Sequence, residues 1–213
     1  MTTIYLLRHG QTMWNREDIF RGQADIPLND FGRQQARALA KALEIEELQR
    51  PFFITSPLKR ARETAEIAAR SFNENKVTDN SFFLDISYGA WEGRPLVEIE
   101  QEYPELYRTW TKHPEKVVFP GGENLKDAAD RAEKGVEQAV QINPDRPIVI
   151  VAHRAINKAL ICHLLGLGLE AFWKIRQDTA CLNKFHYNKS FFILARLNDT
   201  CHLQNLGKDV KDF

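Results

Sequence analysis

The strongest constraint on this chain is where its apolar runs stop. Ile4 to Leu7 reads as a buried strand that ends abruptly on Arg8-His9-Gly10, so two reactive side chains stand at the strand end. Open α/β sheets bind their ligands at such carboxyl ends. Gly10 lets the backbone turn tightly and approach a ligand, and Arg8 offers a planar donor fork suited to phosphate oxygens, which leaves His9 facing an anion. The pattern recurs. Phe52-Phe53-Ile54 is a short strand, and Thr55-Ser56-Pro57 ends it and starts a helix, with Ser56 as cap and Pro57 at the first position. In that helix Leu58, Ala61, Ala65, Ala68 and Phe72 share a face, which puts Arg60 off the apolar stripe and near the sheet edge. Ile148 to Ala152 is a β-branched run typical of a central parallel strand, and it stops on His153-Arg154 before a helix with Ile156, Leu160 and Leu164 inward.

Between these endings the chain alternates helix and strand. Asn29 can cap a helix carrying Ala36, Leu39, Ala40 and Leu43, and Asn124 can cap another carrying Leu125, Ala128, Ala129, Ala132, Val136, Ala139 and Val140. Arg16 to Asn29 is rich in turn formers and reads as a loop over the strand end. Residues 73–80 are polar, Phe82-Phe83-Leu84 is expected to be a strand, and residues 82–122 read as a lid-like insertion broken by His113-Pro114 and Pro120-Gly121-Gly122. Ala180 to Tyr187 and Phe191 to Leu197 read as two closing strands.

Composition removes several classes of function. Lys plus Arg and Asp plus Glu both number 29, which argues against a nucleic-acid surface or a general attraction to anionic membranes, so any anion site is local. The three cysteines, Cys162, Cys181 and Cys201, form no C-x-x-C pair and are expected to be reduced and buried in a cytoplasmic protein. No run of 18 apolar residues occurs, and no glycine-rich nucleotide loop or metal-ligand spacing is present. Neither a cofactor nor a metal is implied. With 213 residues and 43% hydrophobic content, one α/β domain accounts for the chain.

A lone histidine at a strand end is more often structural than reactive, and an arginine at a helix start is usually a solvated charge. The coincidence of three such endings changes the odds. Arg8 to Asn15 resembles the Arg-His-Gly-x-Thr-x-Trp-Asn signature of the histidine phosphatase superfamily, the group that includes cofactor-dependent phosphoglycerate mutases. Thr55 to Thr64 is similar to that family's Ser-Pro-Leu-x-Arg-Ala-x-x-Thr segment, Gly89 to Gly93 to its Gly-x-Trp-Glu-Gly, and Val149 to His153 to its second-histidine strand.

The resemblance implies a three-layer α/β/α sandwich with a mainly parallel sheet, and a metal-independent phosphatase acting through a phosphohistidine. It implies His9 as the nucleophile, with Arg8, Arg60 and His153 around the phosphate; Asn15, Arg21 and Gly22 are expected to join them. The family's proton donor is commonly a Glu four residues before Gly89, where this chain has Asp85; Glu92 is the alternative. Where many relatives have His-Gly, this chain has His153-Arg154; Arg154 either reaches the substrate or points away along its helix, and the second is expected. The partner is a small phosphomonoester, and a homodimer is possible. The branch cues, Trp173 to Asp178 and Asn198 to Leu203, resemble α-ribazole phosphatases and, for the second stretch, also mutase-like phosphoserine phosphatases. A phosphoglycerate mutase and an inactive phosphate-binding protein are the rival readings.

Overall fold

The computed structural model describes residues 1–206 except Arg16 and Asn75; these two, which fall in the expected loop and polar stretch, and tail residues 207–213 lie outside the described residues. Six strands, β1 (Thr2–Arg8), β2 (Phe52–Thr55), β3 (Val77–Asp79), β4 (Ile148–Ala152), β5 (Leu182–Tyr187) and β6 (Phe192–Asp199), form one sheet in the order β3-β2-β4-β1-β5-β6. The first four pair in parallel, and β5 and β6 add an antiparallel edge. β1 lies in register with β4 from Ile4 opposite Ile148 to Arg8 opposite Ala152, so His9 and His153 leave the sheet side by side.

Alternation along β1 and β4 divides the core between two faces. Ile4, Leu6, Ile148, Ile150 and Ala152 point to one side, where they meet α5 (Leu125–Ile142) and α6 (Arg154–Leu164). Tyr5, Leu7, Val149 and Val151 point to the other, against α1 (Asp30–Ile45) and α2 (Lys59–Arg70). Helices on both faces of a mostly parallel sheet make the three-layer sandwich. All five residues of β4 are buried, as its β-branched run requires. Asn29 and Asn124 cap α1 and α5, accepting from Gly32 N and Asp127 N.

Three local expectations are corrected. Phe82 to Leu84 is not a strand: Ser81–Phe83 is a 3-10 turn capped by Asn80, and Phe83 is buried in the core. The strand is β3, inside the polar stretch, because an edge strand of three residues is held by its backbone pairing with β2 rather than by apolar side chains. Ser56 does not cap α2, which starts at Lys59 after an extended Leu58. Cys162 and Cys181 are buried free thiols, but Cys201 is exposed on the turn after β6.

Residues 82–122 contain α3 (Leu96–Glu102) and α4 (Pro104–Lys112) and are packed by aromatic rings. Trp91 is fully buried, with Phe20 and Phe119 each 5.1 Å away in edge-to-face arrangement, and Trp110 stands 5.2 Å from Phe119. Among the described residues, no helix is long and apolar enough to cross a membrane.

The exit from β1 depends on a contact between two glycines. A Cβ on Gly10 would lie 2.4 Å from the Gly32 carbonyl oxygen, and one on Gly32 would lie 2.1 Å from the Gln11 oxygen. Backbone therefore packs directly on backbone where α1 begins. Gly32→Ala is expected to lower the unfolding free energy by about 2–3 kcal/mol, the scale of overpacking a rigid site, read as a lower urea midpoint at unchanged m-value. An unshifted midpoint contradicts this account of the packing.

Candidate active site

The strand endings converge on a buried cluster. His9 N–H donates to Ala152 O at 3.0 Å, extending the parallel ladder, and Gly10 N–H donates to Thr64 Oγ1 at 3.1 Å, tying the turn to α2. His9 Nδ1 lies 2.6 Å from the Gly10 carbonyl. A carbonyl only accepts, so Nδ1 carries the proton and Nε2 keeps its lone pair. His153 has the opposite tautomer. Its Nδ1 accepts from Arg60 Nε at 3.1 Å, so its protonated Nε2 donates to Ser56 Oγ at 2.7 Å. The two rings are 5.1 Å apart.

Arg60 stands between them. Its Nε also donates to His9 Nε2 at 3.3 Å, while Nη1 and Nη2 donate to the carbonyls of Ala24 (2.6 Å) and Gly22 (2.8 Å). The sequence places this residue off the apolar stripe, yet it is fully buried, because the loop of residues 17–29 folds over it. Burial lowers its pKa to about 10, which still leaves it charged at neutral pH. Arg8 is buried too, its Nη1 donating to Gln177 O at 2.7 Å. Asn15 accepts from Thr12 N and Oγ1 through Oδ1, both at 2.8 Å, and its buried Nδ2 has no partner among the described residues. Arg21 Nη1 reaches the Trp14 carbonyl at 3.0 Å.

Burial first, and the charge of Arg60 second, push both imidazoles well below their ordinary 6.5. Both stay neutral in this environment. Asp85 is shifted the other way: burial raises its pKa against the opposing charges of Arg60 and Arg21. Its Oδ1 accepts from Ile86 N at 3.1 Å and from Ile156 N, in the first turn of α6, at 3.3 Å. Glu92 occupies a different place. Its Oε1 accepts from Gln23 N (3.2 Å) and Tyr88 N (3.0 Å), and Gly22, at φ 48°, lies so close that a Cβ would stand 2.3 Å from that oxygen.

Next to this cluster opens a cleft of about 570 Å³, with Arg21, Gly22 and Asp85 among the residues lining it and Tyr88, Tyr107, Trp110 and Trp173 on its walls. Arg154 lines it as well, in contrast to the expectation that it points away; its guanidinium lies 5.9 Å from the Trp173 ring centroid. Among the described residues, no three His, Cys, Asp or Glu side chains sit together as metal ligands.

The family model described as histidine phosphatase superfamily, branch 1, matches residues 4–200. This chain belongs to that superfamily. Phosphoserine phosphatase 1 of Hydrogenobacter thermophilus is 32% identical over 203 residues, 95% of each chain. Among solved structures, Bacillus stearothermophilus YhfR aligns with a TM-score of 0.89 at 30% identity, covering 96% of this chain and 100% of its own. An α-ribazole phosphatase from Shigella flexneri aligns with a TM-score of 0.82 at 27% identity, covering 93% and 96%.

Sequence reasoning about this histidine phosphatase passed over Ser56 as a partner of His153, and it passed over Gln177, whose carbonyl holds Arg8. The first signal was legible, since a serine just after a central strand is well placed to meet a neighbouring strand end. The second involves a backbone atom far along the chain and leaves no mark in the sequence.

The neutral imidazoles link stability to pH. Unfolding frees His9 and His153 to take up protons near 6.5, so the stability they contribute is fully present above that pH and is lost as the pH falls toward their depressed native values. From about pH 7 to about pH 5.5 the unfolding free energy should drop, each histidine contributing a slope approaching about 1.4 kcal/mol per pH unit. His9→Asn and His153→Asn should each flatten that slope in urea titrations, and an unchanged slope in both would count against neutral imidazoles.

Proposed function

We propose that this histidine phosphatase hydrolyses a small phosphomonoester through a phosphohistidine formed on His9 Nε2, without a metal. The observation that carries the reading is the His9 tautomer: Nδ1–H is committed to Gly10 O, which aims an unprotonated Nε2 into a cluster of cations. Phosphoryl transfer through a loose transition state needs positioning and positive charge on the equatorial oxygens. The guanidiniums of Arg8 and Arg60 supply that charge here, Arg21 adds to it from the covering loop, and Asn15 Nδ2 donates a further hydrogen bond.

In the first half-reaction Nε2 forms a bond to phosphorus as the ester oxygen leaves, and Asp85, whose pKa burial raises, gives that oxygen its proton. In the second, water attacks the phosphohistidine, the Asp85 carboxylate takes the water's proton, and inorganic phosphate departs with His9 restored. His153, fixed by Ser56, backs the transferring oxygens. Glu92 is the weaker candidate for the acid, because its Oε1 already receives two backbone N–H groups and joins two loops. The aromatic walls of the cleft suit a leaving group with a planar or apolar body. This favours an α-ribazole phosphatase-like substrate over phosphoserine.

His9→Ala should reduce turnover by at least roughly a thousandfold while a phosphonate analogue still binds. Rapid acid-free quenching of the wild-type protein with a 32P-labelled ester should trap an acid-labile, base-stable label on His9. Appreciable turnover in the variant would rule out His9 as the nucleophile.

Asp85→Asn should slow alkyl phosphates far more than aryl phosphates, because only a poor leaving group depends on a proton. Equal losses on the two substrate types would remove Asp85 from the role of acid, and the same pattern in Glu92→Gln would transfer the role there.

A further inference from the structure

A leucine would suit the place of Asn183 better on burial alone, since a buried amide costs free energy unless its hydrogen bonds are made. Asn183 lies on β5 opposite Leu6 and is fully buried, and all four of its bonding positions are used. Its Nδ2 donates to Leu6 O at 2.8 Å and to Gln177 Oε1 at 2.9 Å, and its Oδ1 accepts from Gln177 Nε2 at 2.7 Å and from Asn198 N at 2.8 Å. Gln177 is buried and equally satisfied. Beyond the reciprocal pair with Asn183, its Nε2 donates to Arg176 O at 2.9 Å and its Oε1 accepts from Cys181 Sγ at 3.4 Å. The pairing of β5 with β6 shifts between Leu182, opposite Asp199, and Lys184, opposite Arg196, which turns the Asn198 N–H onto the Asn183 side chain. Asn198 itself sits at φ 51° and grips Asp178, its Oδ1 accepting from Asp178 N at 2.7 Å and its Nδ2 donating to Asp178 Oδ2 at 2.9 Å. The two stretches that start at Trp173 and at Asn198 therefore meet through side-chain amides beside the end of β1.

We propose that Gln177 is a positioning residue for Arg8: its side-chain amide, clasped by Asn183, fixes its own carbonyl, and that carbonyl holds the Arg8 guanidinium in place for the transferring phosphate. The inference rests on the phosphatase reading above and adds how the first cation of the site is aimed. Arg8 Nη1 donates to Gln177 O at 2.7 Å and Arg8 N–H donates to Cys181 O at 3.2 Å, so the turn of residues 177–181 meets both the backbone and the tip of the arginine. A long side chain loses rotamer freedom when an anion orders it, and a guanidinium already held by the fold is spared much of that loss at the moment of reaction. The support and the supported group ride on one strand, because Asn183 also ties the pair to the carbonyl of Leu6, two residues before Arg8. Amides serve here where a leucine would not. A fully satisfied network permits one orientation of the Gln177 peptide, whereas apolar packing would let it slide.

The test is a double-mutant cycle between Gln177 and Arg8. Gln177→Met removes both amide bonds to Asn183 but keeps the carbonyl that Arg8 meets, so it separates the support from the contact. Beside the native Arg8 it should lower kcat/KM for 4-nitrophenyl phosphate by roughly tenfold or more, the scale of one hydrogen bond to a charged group, and raise the Kd of orthovanadate in step. In an Arg8→Met background the same substitution should change either quantity by less than about twofold. A loss of folded protein lowers both backgrounds alike and cancels in the cycle. Asn183→Ser breaks the pair from the other side; it should show the same coupling, and it supplies the measurement if Gln177→Met does not fold. Equal losses in the two backgrounds, or no loss beside the native Arg8, overturn the positioning role and leave the phosphatase reading intact. Phosphate release from none of the proteins overturns the phosphatase reading, and the vanadate cycle then decides the positioning role by itself: coupling upholds it and its absence overturns it. Failure of the wild type to bind vanadate overturns both.

Discussion

The site depends on one guanidinium buried between two imidazoles. Arg60 Nε donates toward His9 Nε2 and His153 Nδ1, so that single donor faces the bare nitrogen of each ring. Everything around it keeps this arrangement in place: the parallel register of β1 and β4 that delivers the two rings together, and the loop carbonyls of Gly22 and Ala24 that satisfy the rest of the guanidinium. A buried cation among such dipoles, with Asp85 near enough for its charge to act, stays ionised although burial lowers its pKa. The energy that would otherwise favour solvating Arg60 is held in the fold as a preformed cluster of positive charge.

How much of this was legible in the chain follows from how each feature is encoded. Runs of apolar residues that stop on a charged or titratable side chain mark strand ends, so the grouping of Arg8, His9, Arg60 and His153 could be read before any coordinates, and the alternation in β1 and β4 specified two covered faces. β3 was missed because an edge strand is defined by backbone pairing, and its Val-Thr-Asp sequence carries no pattern. Ser56 was misread because two roles compete for one hydroxyl, and a buried histidine gains more from it than an exposed helix start. Arg154 was misread because helical position alone does not say which neighbour a long side chain will meet; the ring that attracts it, Trp173, comes from a segment nearly twenty residues on.

The tautomers of His9 and His153 also bear on the molecule as a thermodynamic object. Burial and three guanidiniums disfavour protonation of the two rings, so the centre of the fold is the place where its own charges are least at ease. On the phosphatase reading proposed above, an arriving oxyanion reverses the sign of that field and binds only the folded chain, since the unfolded one has no such cluster. On the same reading inorganic phosphate, the spent half of the reaction, is a folding ligand whose stabilisation grows with the logarithm of its concentration. Product retention and native-state stability then draw on the same contacts, and a cell rich in phosphate would hold this protein more firmly folded and more slowly turning over at once.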